Sequence, residues 1–204
     1  MSGFFIRIGI AALIFGVVAG NIFTHPDYSV VSNSISELAA QNMPNAWIMR
    51  VAFFVYGLSV AAAALADIRT RVPARIAVIA FGLSLVGAGY WAARPIWLDA
   101  PFDLRDDYLH SIFGTLAGVS FAAACSARLF LPSGSLNDRL SWLGLVASIA
   151  IPLFMLQFPN IDGLPQRLMF AISALWLWRE FRSNYAHVQK CVVDALFAVY
   201  TLHR

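Results

Sequence analysis

Six apolar stretches, each close to the length that crosses a bilayer, leave this chain few ways to fold. They run over roughly Phe4–Phe23, Ala46–Ala66, Ile76–Ala93, Ser111–Leu131, Trp142–Phe158 and Leu168–Phe181. A helix of about 20 apolar residues spans the hydrocarbon core and satisfies its own backbone polar groups there. Only 12% of the 204 residues are charged and 60% are hydrophobic, against a soluble norm of about 25% charged. The pattern predicts an all-α fold, a polytopic transmembrane helix bundle of six spans over residues 1–183. A tail over 184–204 follows. Within it Cys191–Leu202 is apolar apart from Asp194 but too short to span, so it is expected to lie on the membrane as an interfacial amphipathic helix. The first stretch lacks an A-x-A cleavage site near Val18–Asn21 and is read as a retained span.

The charges between the stretches fall into two unlike sets. Arg7, Arg69, Arg71, Arg75, Arg128, Arg139, Arg179, Arg182, Lys190 and Arg204 occupy the N-terminus, the second and fourth connections and the tail. Only Arg50, Arg94, Arg105 and Arg167 lie with the others. The positive-inside rule then places both termini in the cytoplasm, and an even number of spans agrees with both ends lying on one side. The net charge of +3 does not imply a nucleic-acid partner, because the basic residues flank spans where orientation signals belong. Membrane lipid is the expected surrounding partner. Asp27, Glu37, Asp99, Asp103, Asp106, Asp107 and Asp162 gather on the outer side. Cys125 and Cys191 both fall on the cytoplasmic side and are not expected to pair. Gly16/Gly20 and Gly114/Gly118, at spacing four, should let helices approach closely. Pro152 falls inside the fifth span and should bend it.

Polar chemistry therefore concentrates at the outer ends of the spans. The first outer connection offers His25, Asp27, Ser34, Ser36 and Glu37, with Ser34 and Glu37 spaced as a capping box ahead of a short helix over about Ile35–Asn42. Arg50 lies a turn into the second span, Asp106, Asp107 and His110 lead into the fourth, and Gln166 and Arg167 open the sixth. On a helix Asp106 and Asp107 stand four and three residues from His110, within reach of its ring. Three readings stay open. In the first, these side chains form a pocket for a small molecule, lipid headgroup or partner, gripped by Arg50, Gln166 and Arg167 with His110 and Asp107. In the second, His25 and His110 with Asp107 or Glu37 hold a divalent metal such as zinc, and Glu37 is the base of a hydrolase acting on a lipid-like ester or amide. In the third, the cluster only staples helices. No GxSxG, HExxH or phosphate-cradling glycine loop is present.

The stretches His25-Pro-Asp-Tyr-Ser, Ser34-Ile-Ser-Glu-Leu, Pro44-Asn-Ala-Trp, Asp107-Tyr-Leu-His110-Ser-Ile-Phe-Gly and Gly163-Leu-Pro-Gln-Arg167 resemble a bacterial and archaeal membrane family, domain of unknown function 998. The resemblance covers about Arg7–Arg182. It implies a bundle of six or more spans in a bacterial cytoplasmic membrane, and no established activity. Seven-helix zinc hydrolases of membranes use Ser, Asp and three His. This chain lacks their late paired His and seventh span, and no catalytic assignment carries over.

Overall fold

The computed structural model describes residues 1–67, 72–97, 99–130 and 136–202, and within these the side chains through 182 other than 136 and 137. Arg69, Arg71, the turn at 132–134, His203 and Arg204 lie outside that range, as do the side chains of His187, Lys190 and Cys191. Six α-helices are described: α1 Ser2–Ile22, α2 Trp47–Ala66, α3 Val72–Tyr90, α4 Leu104–Leu129, α5 Leu136–Gln157 and α6 Gly163–Leu202. Each of the first five is long and apolar enough to cross a membrane. Side chains such as Phe15, Leu65, Val119 and Leu156 stand at least 62% exposed, where only lipid can receive them. The protein is an integral, multi-pass membrane protein.

The helices follow one another around a ring. Each packs mainly on its neighbours in sequence, and α6 returns to α1, where the Arg7 guanidinium lies 5.5 Å from the centre of the Trp178 ring. The tightest seam is between α2 and α3. A Cβ on Gly57 would strike the Gly82 carbonyl oxygen, and one on Gly82 would strike that of Gly57. Rings fill the interior: Phe81 packs on Tyr56 and Phe121, Phe121 on Trp176, and Phe53 on Phe170. Burial of α2 is accordingly deep, with Tyr56, Val60 and Met49 fully enclosed.

Two helices differ from expectation. α4 begins two turns earlier than its apolar stretch, because Asp103 accepts the Arg105 and Asp106 amides and so caps it upstream. α6 is one uninterrupted helix of 40 residues. The tail is therefore a continuation of the sixth helix through Leu202 and not a separate element. Only 11 residues, Leu168–Trp178, separate Arg167 from Arg179, about 16 Å of helix. This is why α6 does not meet the composition of a spanning segment while the other five do.

α5 is continuous through Pro152, whose ring leaves the Ser148 carbonyl without its helical donor. Asp138, Ser141, Gly144 and Ala147 form a buried stripe, and no residue from Ser148 to Phe158 is buried. The half of α5 that follows Ala147 is thus only half-buried at Ser148, Ile151 and Met155 and exposed elsewhere.

Candidate functional site

Residues 23–46, between α1 and α2, fold over one end of the bundle as a cap. Ser34 and Glu37 form the expected capping box: the Ser34 amide donates to Glu37 Oε2 at 2.5 Å and the Glu37 amide to Ser34 Oγ at 3.3 Å. The helix it starts is a short 3-10 turn, Ser36–Ala39, shorter than the sequence suggested. Asn42 and Asn45 take positive φ on either side of Met43-Pro44, a conformation asparagine tolerates better than most residues. Asn42 Nδ2 donates to the Pro101 carbonyl and Asn45 Nδ2 to that of Phe23. Gln41 donates to the Ala92 and Asp103 carbonyls and accepts from the Asp103 amide at 2.7 Å, tying the cap to the connection before α4.

Two guanidiniums hold the cap from below. Arg50 of α2 donates to the carbonyls of Ala39 at 2.9 Å and Ala40 at 3.2 Å. Arg167 of α6 donates to the carbonyls of Val30, Asn33 and Gly163 at 2.8–3.0 Å and to the Tyr28 hydroxyl at 2.7 Å. The Tyr28 hydroxyl in turn donates to the Ser34 carbonyl at 2.8 Å. Burial raises the Tyr28 phenol above its ordinary pKa, opposed by Arg167, so it remains a donor at neutral pH. Gly163 sits so close beneath this loop that a Cβ would collide with the carbonyls of Val30, Val31 and Asn33.

Under the cap a cavity of about 70 Å³ opens within the ring. Ser36 and Gln166 line its cap end. Phe53, Phe81, Leu85, Phe121, Met169 and Phe170 line the rest, with Gly114, Ala117 and Gly118 along α4 and Ser173 on α6. The Ser36 amide donates to Gln166 Oε1 at 3.3 Å, and Gln166 Nε2 reaches Ser36 Oγ at 3.5 Å. Both bonds are long, and the Gln166 amide keeps a second N–H to offer.

The profile of a family described as "Protein of unknown function (DUF998)" matches residues 8–178. This chain belongs to that family. The matched span takes in the cap, the cavity and α6 as far as Trp178. No curated protein and no solved structure matches the DUF998 chain.

The expected site residues separate into distinct groups. Ser36 and Gln166 meet at the cavity. Arg50 and Arg167 lie close by and donate to main-chain carbonyls of the cap. Glu37 is committed to the capping box. Asp107 does not hold His110: its Oδ1 accepts the Arg94 amide at 2.8 Å. His110 is buried, and its Nδ1 lies 2.9 and 3.0 Å from the carbonyls of Ala88 and Trp91 at the end of α3. Carbonyls only accept, so Nδ1 carries the proton. Asp106 gives its amide to Asp103 in the first turn of α4. His25 stands elsewhere, 3.4 Å from Asp27 and edge-on to Trp97. Among the described residues no three His, Cys, Asp or Glu side chains converge as a metal site. The set His25, His110 and Asp107 is therefore not assembled, because each member is oriented by a different local partner.

The opposite end of the bundle holds a polar cluster that the sequence reading passed over as orientation signal. Arg128 lies 3.2 Å from Asp138 and 3.3 Å from Glu180, joining α4, α5 and α6. Nearby Trp176 Nε1 donates to Ser141 Oγ at 2.8 Å. Glu180, an acid within an apolar run, was the available signal. The glycine expectation also divides. Gly16 does meet α2 at Ala52, whereas Gly114 and Gly118 face open space with nothing within 4 Å of a Cβ.

Proposed function

We propose that this DUF998 protein is a six-span binding protein of the bacterial cytoplasmic membrane, with both termini cytoplasmic and the cap outside. α6 supplies the sixth crossing. Two of its charges are turned inward, Arg167 to the cap and Glu180 to Arg128, while Arg179 and Arg182 are exposed at the end opposite the cap, so a short apolar run suffices. The bound molecule places its polar end against Ser36 and Gln166, beneath the cap. One observation carries this reading: the cavity has a polar rim at its cap end, with unused hydrogen-bonding capacity, above an apolar interior. Glu37, Arg50, Arg167, His110, Asp106 and Asp107 act by building the cap and its seat, and His25 by fixing its edge. The hydrolase reading has less support, since its histidines are committed to separate partners.

Native mass spectrometry of gently extracted protein tests the proposal. A co-purifying small molecule or lipid, lost on Ser36→Ala/Gln166→Ala double substitution while the fold is kept, is the expected result. Retention of the same ligand by that variant overturns the site, and absence of any ligand favours a purely structural role. Impermeant maleimide labelling of Ser29→Cys from outside, in a Cys191→Ser background, tests the orientation.

A further inference from the structure

Gly114 and Gly118 line the cavity and yet are not packed. Gly114 is exposed and Gly118 half-buried, and a Cβ at either would meet nothing within 4 Å. They mark a place where the interior of the ring communicates with its outside. The reason lies in α5. Near the end opposite the cap, α4, α5 and α6 are locked together: a Cβ on Gly144 would press on Cys125 Sγ, Phe121 packs on Trp176, and Arg128 bridges Asp138 and Glu180. Towards the cap, α5 has no fully buried residue after Ala147, and none of its side chains lines the cavity. α4 and α6 are then left with an uncovered cleft between them, one to two turns of helix below His110. At that depth the medium outside a spanning helix is hydrocarbon and not water.

We propose that this cleft is a lateral window through which one acyl chain of a bilayer phospholipid enters the cavity, with its ester and headgroup end at Ser36 and Gln166. This rests on the reading of that pair as the polar end of the ligand site, and it adds the ligand class and the route. The chemistry of the recess matches an amphiphile in order as well as in kind. A polar pair lies at the level of the cap, and an apolar channel runs below it for about seven residues of α6, from Gln166 to Ser173, or about 10 Å. The recess of about 70 Å³ admits a chain of methylenes and is far too small for a helix from another protein. Glycine at 114 and 118 keeps the window open, because any side chain there would project into the space the chain occupies.

The test uses the full chain in liposomes of phosphatidylcholine carrying a photoreactive diazirine, either midway along one acyl chain or in the headgroup. Cross-linked peptides are mapped by mass spectrometry. The tail probe is expected on peptides containing Gly114–Phe121 and Met169–Ser173. Gly118→Leu, whose Cβ would meet nothing within 4 Å, should lower that labelling about tenfold, and Gly114→Leu should do the same if the first variant folds poorly. Val119→Leu, on the lipid face, should leave it unchanged. Tail label spread evenly over outward faces and indifferent to Gly118→Leu overturns the window. So does a cross-link between two copies of the chain within the cleft. Tail label lost with headgroup label kept at Ser36 and Gln166 sinks this inference alone. Tail label kept with headgroup label missing there instead sinks the polar-end reading.

Discussion

Replacing Arg167 by Gln should undock the cap and leave the bundle standing. Arg167 donates to three groups of the cap, the Val30 and Asn33 carbonyls and the Tyr28 hydroxyl, and its fourth acceptor, Gly163, belongs to its own helix. Hydrogen bonds from a charged donor contribute about 1.5–3 kcal/mol each when buried. Three at the lower figure, halved because the group is partly exposed and water can replace it, come to about 2 kcal/mol. That corresponds to roughly 30-fold faster amide exchange in the segment it holds. Hydrogen exchange with mass spectrometry on protein in nanodiscs can read this from peptides covering residues 28–36. Amides of α2 and α3 should be unchanged, since those helices are held by their own seam. Arg167→Lys should fall between, because one ammonium cannot reach all four acceptors. Less than about threefold acceleration in the cap, or an equal rise throughout α2 and α3, would refute the reasoning.

Three further outcomes follow from the same contacts. Gly163→Ala should cost about 1–3 kcal/mol, seen as a lower thermal midpoint in detergent, because its methyl group meets three carbonyl oxygens of the cap. Asp162 has one carboxyl oxygen buried without a partner, and burial, then Glu37, raises its pKa. A carboxyl raised by folding contributes most to stability below its ordinary range, and that contribution is lost as pH rises through the raised value. Asp162→Asn should therefore raise the thermal midpoint at pH 7 relative to wild type, with the difference shrinking towards pH 4; a constant difference would contradict this. Arg128→Met should destabilise by about 3 kcal/mol by removing the cation between two enclosed carboxylates, and Arg128→Met/Glu180→Gln should recover part of the lost midpoint.

Much of the architecture could be read from apolar length and charge placement, since a bilayer permits few alternatives. The six helices are of this kind, and the Ser34/Glu37 spacing gave the capping box. Other features depended on which partner wins a side chain, and spacing does not decide that. Asp107 stands three residues before His110, but the Arg94 amide and the carbonyls ending α3 are nearer competitors for each. Gly114 and Gly118 have the spacing of a helix contact, yet nothing lies within 4 Å of a Cβ at either. The tail begun at residue 184 is continuous with α6, because the stretch after Arg182 holds no Pro or Gly to end a helix. The roles of Gln41, Asn42 and Asn45 are not legible in the sequence, because their partners are main-chain groups far along it.

Arg50 and Arg167 grip the cap almost wholly through peptide oxygens, which every residue type possesses. Of the four residues so gripped, Val30 alone has an exposed side chain, since Ala39 and Ala40 are fully buried and Asn33 Oδ1 accepts the Ser29 amide. The exposed stretch at Val30 and Val31 is therefore the part of the cap that is free to drift, or to carry a reporter, provided the two arginines and the bare glycine at 163 stay in place. That face can change without rebuilding the scaffold that carries it.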